Sequence, residues 1–303
     1  MLAACDQAGL KQLSRAELEE MALLYRQVAA DLSVLRQDAT ARSYAEFVNH
    51  LLARAHHLIY SRRKATAAGL LRYLRDEYPL IFRRQIRFVV ASLLISLAWG
   101  ALGAVITHTR PEFMRHFLGP RMIATMERHE MWTESIVTIK PLASSAIMTN
   151  NLSVSFATFA SGILFGAGTF YYLLVNGMLL GVVGAACAQY GMSVALWSFV
   201  APHGSLELPA ILIAGASGFR LGYGMLFPGS LRWKDSVAQS GIEATKLVSG
   251  VIPMLFVAGI LEGFFSPSHS PVWLKFTVGG VLFALLLAWL FHPVSKRPEE
   301  TTP

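Results

Sequence analysis

The chain has 303 residues and a net charge of +7, with 54% hydrophobic and only 15% charged residues. Soluble domains carry about 25% charged and 45–50% apolar residues, so the composition excludes an ordinary soluble globule. Two cysteines, Cys5 and Cys187, exclude a disulfide framework.

Residues 1–87 are the polar part. They hold fourteen Lys/Arg against nine Asp/Glu, so they supply most of the positive charge. Ser14 and Glu17 have capping-box spacing. Leu18, Met21, Leu24, Val28, Leu32 and Leu35 then recur at three- and four-residue steps, which predicts an amphipathic helix over 14–37. A second is predicted over 41–60, with Phe47, Leu51 and Leu58 on one face. A third is predicted over 64–75, ending at Tyr78-Pro79. Amphipathic helices need cover for their apolar faces, from each other, a second copy or a membrane surface. Arg62, Arg63, Arg83, Arg84 and Arg87 crowd toward the first apolar run. That position points to anionic lipid headgroups and not to nucleic acid. The first 80 residues contain no signal-peptide apolar core, so the first span is expected to act as the insertion signal.

From residue 88 the apolar runs approach the ~20 residues that cross a bilayer as helix. The reading is an all-α, polytopic membrane helical bundle with a cytosolic amphipathic amino-terminal region (1–87), a six-span membrane domain (88–291) and a short cytosolic tail (292–303). The spans are expected at 88–106, 152–170, 173–190, 205–227, 247–265 and 272–291, with 107–147 a polar loop whose 114–131 part forms short surface helices. Val175-Asn176-Gly177 is expected near the turn into the third span. An even span count places both termini on one side, and the basic residues favour the cytoplasm. Gly162/Gly166, Gly177/Gly181 and Gly218/Gly222 are four apart, a spacing that lets helix backbones approach closely in lipid.

Several motifs follow one another in this region: Asn150-Asn151-Leu152-Ser153-Val154, Gly162-Ile163-Leu164-Phe165-Gly166-Ala167-Gly168-Thr169, Asn176-Gly177-Met178-Leu179-Leu180-Gly181, His203-Gly204-Ser205-Leu206-Glu207-Leu208-Pro209-Ala210 and Ala258-Gly259-Ile260-Leu261-Glu262-Gly263-Phe264. In this order, over about 140–266, they resemble the stage II sporulation protein M family of integral membrane proteins. The resemblance implies a cell-envelope protein of the prokaryotic inner membrane. It also implies partners drawn from envelope remodelling: a peptidoglycan-degrading membrane protein in spore formers, and RDD-type proteins, MoxR-type ATPases and von Willebrand factor A-type proteins elsewhere.

Ionisable residues inside spans cost on the order of 2.5–3.5 kcal/mol at mid-bilayer. His203, Glu207, Arg220 and Glu262 are the candidates. Each also has a bland reading near a span end. Glu207 in particular would meet a helix dipole in the first turn of the fourth span, with Pro209 in the same turn. Because spans alternate direction, Asn150, Asn151, His203, Glu207 and Glu262 fall at one membrane face and Asn176 and Arg220 toward the other. The first five are expected to form a polar layer, with the Glu207 carboxylate near at least one other member and Arg220 absent. His203-Gly204 is expected to precede the helix, so His203 and Glu207 need not share a face. No HExxH motif is present, and neither a metal, a cofactor nor a catalytic group is expected. The leading functional expectation is a non-enzymatic membrane scaffold, with a homodimer as its assembly. The competing one is a small-solute transporter or channel, and an intramembrane hydrolase is disfavoured.

Overall fold

A computed structural model describes residues 14–35, 41–60, 67–131 and 140–293. All regular structure among them is helical: α1 (Arg15–Leu35), α2 (Arg42–Tyr60), α3 (Ala67–Arg72), α4 (Tyr78–Arg84), α5 (Ile86–Thr109), α6 (Pro111–Glu127), α7 (Lys140–Ala160), α8 (Ala167–Gln189), α9 (Ser193–Leu226), α10 (Trp233–Val248), α11 (Val251–Ile260) and α12 (Val272–Phe291). The chain divides into two compact units, residues 1–70 and 71–303, a boundary ahead of the one expected at Arg87.

In the first unit α1 starts on a reciprocal cap. The Ser14 amide donates to Glu17 Oε2 at 2.7 Å, and the Glu17 amide donates back to Ser14 Oγ at 3.4 Å. Met21 and Leu32 of α1 and Ala45 and Ala55 of α2 are buried where the two helices pack. Two helices cannot cover all their apolar residues. Leu23 is 55% exposed and Phe47 63%, so the face expected of the second helix is not wholly inside this unit.

Among its described residues the second unit contains five helices long and apolar enough to cross a membrane: α5, α8, α9, the α10–α11 stretch over Trp233–Phe265, and α12. Helix α7, 21 residues long, stands where the expected second span was placed. Ser145, Thr149, Asn150 and Asn151 make its first half more polar than the others. The expected run through 152–170 is interrupted instead. A 3₁₀ turn over Ser161–Ile163 and left-handed backbone at Phe165 (φ 53°) and Gly166 (φ 86°) turn the chain into α8. Only glycine adopts that conformation without a steric penalty, so Gly166 marks the corner. Asn176 and Gly177, expected near a turn, are therefore in the interior of α8. Gly177 is buried there because a Cβ would meet the Ser96 carbonyl of α5.

Glycines set the closest helix contacts. A Cβ on Gly181 would strike the Gly100 carbonyl, and one on Gly162 the Gly218 carbonyl. Without a hydrophobic drive between helices in lipid, such backbone approach is what packing has to offer.

The fourth span departs furthest from expectation. Helix α9 is 34 residues long and begins at Ser193, not Ser205, running unbroken through Pro202 and Pro209. Each proline removes one backbone hydrogen bond. Inside a bilayer no water replaces helical bonds, so the surrounding helix is retained rather than unwound. Helix α9 packs against α5, α7, α8, α10, α11 and α12, and forms the axis of the unit.

Residues 73–85 belong to this core. A π turn over Tyr73–Glu77 leads into α4, with Pro79 in the first turn of α4, where it is tolerated; it does not end a helix there. Tyr78 is fully buried, donates to the Leu247 carbonyl at 2.9 Å and stacks on Trp289 with ring centroids 5.1 Å apart. The expected surface helices at 114–131 are also built in. Helix α6 bends at Gly119 and buries Met114, Ile123 and Met126 against Ala186, Cys187, Met192 and Leu196.

Candidate functional site

His203 and Glu207 both lie in the interior of α9, one helical turn apart and on the same face. The bland reading of Glu207 as a first-turn carboxylate therefore falls, as does the placing of His203 outside the helix. Opposite them α11 ends in a π turn, Leu261–Phe265, closed by the Ser266 amide donating to the Leu261 carbonyl at 2.7 Å. The widened turn presents Glu262 and Ser266 to the same imidazole. His203 Nδ1 lies 2.9 Å from Ser266 Oγ, and His203 Nε2 lies 4.0 Å from Glu262 Oε1. One ligand atom each from His203, Glu207 and Glu262 all fall within 4.8 Å of one another. π turns of this kind recur at functional sites.

The group is inside the protein. His203 is 5% exposed and Ser266 fully buried, while the Glu262 side chain is 14% exposed. Glu207 Oε2 and Glu262 Oε2 are buried oxygens without a hydrogen-bond partner. Lys275 of α12 reaches the same turn, but its hydrogen bond goes to the Ser266 carbonyl at 2.7 Å. An imidazole and two carboxyls this close, in an apolar bundle, call for a counter-charge or shared protons.

The asparagines of the expected layer show one side-chain bond, to each other. Asn150 and Asn151 lie within α7 rather than at the opening of a span. Asn150 is exposed, and its side-chain amide donates to Asn151 Oδ1 at 3.4 Å.

Arg220 sits in a different cluster. Its Nε donates to Glu243 Oε2 at 2.8 Å and its guanidinium also reaches Ser240 Oγ at 2.8 Å. Gln85 donates to the same Glu243 oxygen at 2.9 Å. Asn176 takes no part in those bonds and donates to the Tyr172 carbonyl of its own helix. Of the basic residues, Arg83 donates to the Pro79 carbonyl at 3.2 Å, Arg84 is exposed, and the Arg87 guanidinium lies 4.7 Å and 4.8 Å from the ring centroids of Phe88 and Tyr223. Arg62 and Arg63 lie outside the described residues, as does Cys5.

Sequence reasoning missed Ser266, Lys275 and Glu243. Ser266 stands four residues after Glu262, a helical spacing that was available. Glu243 falls in a stretch polar enough to pass for a loop.

Five apolar membrane-length helices around a buried polar centre define a multi-pass helical membrane protein. A family model described as Stage II sporulation protein M matches residues 89–267, and the chain belongs to that family. A second model, Domain of unknown function (DUF8413), matches residues 3–61. Among individual proteins, the chain is 30% identical over 124 residues to an uncharacterized protein, MJ0793, of Methanocaldococcus jannaschii; the match covers 40% of this chain and 70% of that protein. No solved structure matches.

Proposed function

We propose that this protein is a non-enzymatic scaffold of the prokaryotic cell envelope, whose membrane unit anchors a complex and whose amino-terminal hairpin receives a cytosolic partner. One observation carries the reading: α1 and α2 leave Leu23, Val34, Tyr44 and Phe47 more than half exposed. Two helices have too little interior to bury such a set, and a partner surface would cover it. Family resemblance suggests the partner classes: RDD-type membrane proteins, MoxR-type ATPases, von Willebrand factor A-type proteins or a peptidoglycan-degrading membrane protein. In this reading both termini are cytoplasmic and a homodimer is the unit of assembly. Arg83, Arg84 and Arg87, with Arg62 and Arg63, meet anionic headgroups, each worth roughly 1 kcal/mol near such a surface.

The test is co-purification from native membranes. Wild-type protein should retain a stoichiometric envelope partner that a Leu23→Ser, Phe47→Ser variant loses while its membrane unit stays folded. Retention of every partner by that variant would defeat the reading. A cysteine replacing Ser14 should resist a membrane-impermeant reagent in intact cells.

The buried His203–Glu207–Glu262 group favours a second reading, a small-solute transporter or channel. Solute flux into liposomes that Glu207→Gln abolishes would establish it in place of the scaffold.

A further inference from the structure

We propose that His203, Glu207 and Glu262 form a site for one divalent first-row metal cation of the zinc or manganese type, which fastens α9 to the π turn after α11. The three residues bring one imidazole nitrogen and two carboxylate oxygens within 4.8 Å of one another. Around zinc, nitrogen and oxygen ligands sit at about 2.0–2.2 Å, so tetrahedral ligand atoms stand roughly 3.3 Å apart. The 4.0 Å between His203 Nε2 and Glu262 Oε1 would close by less than an ångström, and the larger separations by little more, well within the reach of a glutamate side-chain rotation.

The chemistry of the surroundings selects this ligand. Ser266 Oγ, 2.9 Å from His203 Nδ1, can accept a hydrogen bond from the Nδ1–H group. The imidazole is then held in the tautomer whose Nε2 lone pair faces the carboxylates, as the outer partners of metal-binding histidines do. Glu207 Oε2 and Glu262 Oε2 are buried and unpartnered, so a cation held by both carboxylates, with Glu262 chelating through its two oxygens, would satisfy atoms that the protein leaves unsatisfied. Two carboxylates and a divalent cation sum to zero charge, which an apolar bundle accepts more readily than two anions. Lys275, the nearby cation, is committed to the Ser266 carbonyl. A nitrogen ligand with only two carboxylates suits zinc or manganese better than magnesium or calcium, which take oxygen ligands in larger number.

The test uses full-length protein in detergent, purified without a histidine tag, stripped with chelator and re-equilibrated with Zn²⁺ alone. Wild type should hold one zinc per chain by elemental analysis, and its thermal midpoint should rise with zinc concentration. Glu207→Gln and Glu262→Gln should each lose stoichiometric zinc and that rise. Ser266→Ala keeps all three ligands, and its affinity should fall about 10–100-fold. That variant decides the matter if the glutamine variants fail to fold. Zinc binding by wild type no greater than by the Glu207→Gln, Glu262→Gln double variant would overturn the proposal. So would unchanged affinity in Ser266→Ala, or equal stabilisation by Mg²⁺ alone.

Discussion

At the scale of single residues, the reliable signal was an ionisable group where hydrocarbon was expected. His203, Glu207, Arg220 and Glu262 were visible for that reason, and three of the four meet in space. Their partners were not visible. A serine such as Ser266 is common in membrane helices, where it bonds its own backbone, and nothing in its identity reveals that it faces an imidazole. Amides are cheap enough at a surface to need no buried partner, and Asn150 is exposed. In the amino-terminal unit a residue-level prediction follows from the α1 cap. Two hydrogen bonds from Ser14, the stronger influence being from its backbone amide, lower the Glu17 pKa below its ordinary value. A depressed folded-state value means that the cap's contribution is full above the unfolded pKa and is lost as pH falls through the folded one. An NMR titration should find the Glu17 midpoint below that of an exposed glutamate, and Ser14→Ala, which removes the hydroxyl bond but keeps the backbone amide, should raise it part of the way back. An unshifted midpoint in the wild type would refute the cap.

At the scale of elements, hydropathy located α5 and α12 closely and set the last residues of the third, fourth and fifth spans to within about one residue, but it misplaced where those helices begin. The reason is physical. Apolar content changes little across the corner at 161–166, so the turn is carried by the backbone of Gly166, and the neighbouring glycines, which pack helices, look the same in sequence. The start of α9 gave the opposite error: the span was expected to begin at 205, whereas the helix runs from Ser193 and continues through Pro202, because backbone groups that a proline frees can be solvated in water and not in lipid. The α5–α8 seam supplies a prediction at this scale. Gly181→Leu would push a side chain into the Gly100 backbone, which cannot yield as a side-chain tip would. Overpacking of this kind costs about 1–3 kcal/mol. Gly280→Leu, on α12 with nothing within 4 Å of its added Cβ, serves as the control. Thermal unfolding in detergent should separate the two, and equal midpoints would count against the seam.

At the scale of the whole molecule, the fold class followed from composition alone, whereas the central position of α9 did not. Helices α5, α7 and α8 come before it in the chain and α10, α11 and α12 after it, yet all six pack on it. That order has a consequence for biosynthesis. The α5–α8 seam needs nothing downstream and can close as soon as α8 leaves the ribosome and enters the membrane. The Gly162 contact must wait, because its partner Gly218 lies deep in the late-emerging α9. Two glycine substitutions should thus act at different moments of synthesis. In ribosome-arrested chains just long enough for α8 to have cleared the exit tunnel, Gly181→Leu should already reduce protease resistance, while Gly162→Leu should have no effect until chains are long enough for α9 to have cleared it. If both substitutions act at the shorter length, assembly does not proceed in that sequence. If the order holds, the axis of the bundle is a late arrival, and nascent chains pass through an interval in which half-built helices stand in lipid with their glycine faces unmatched.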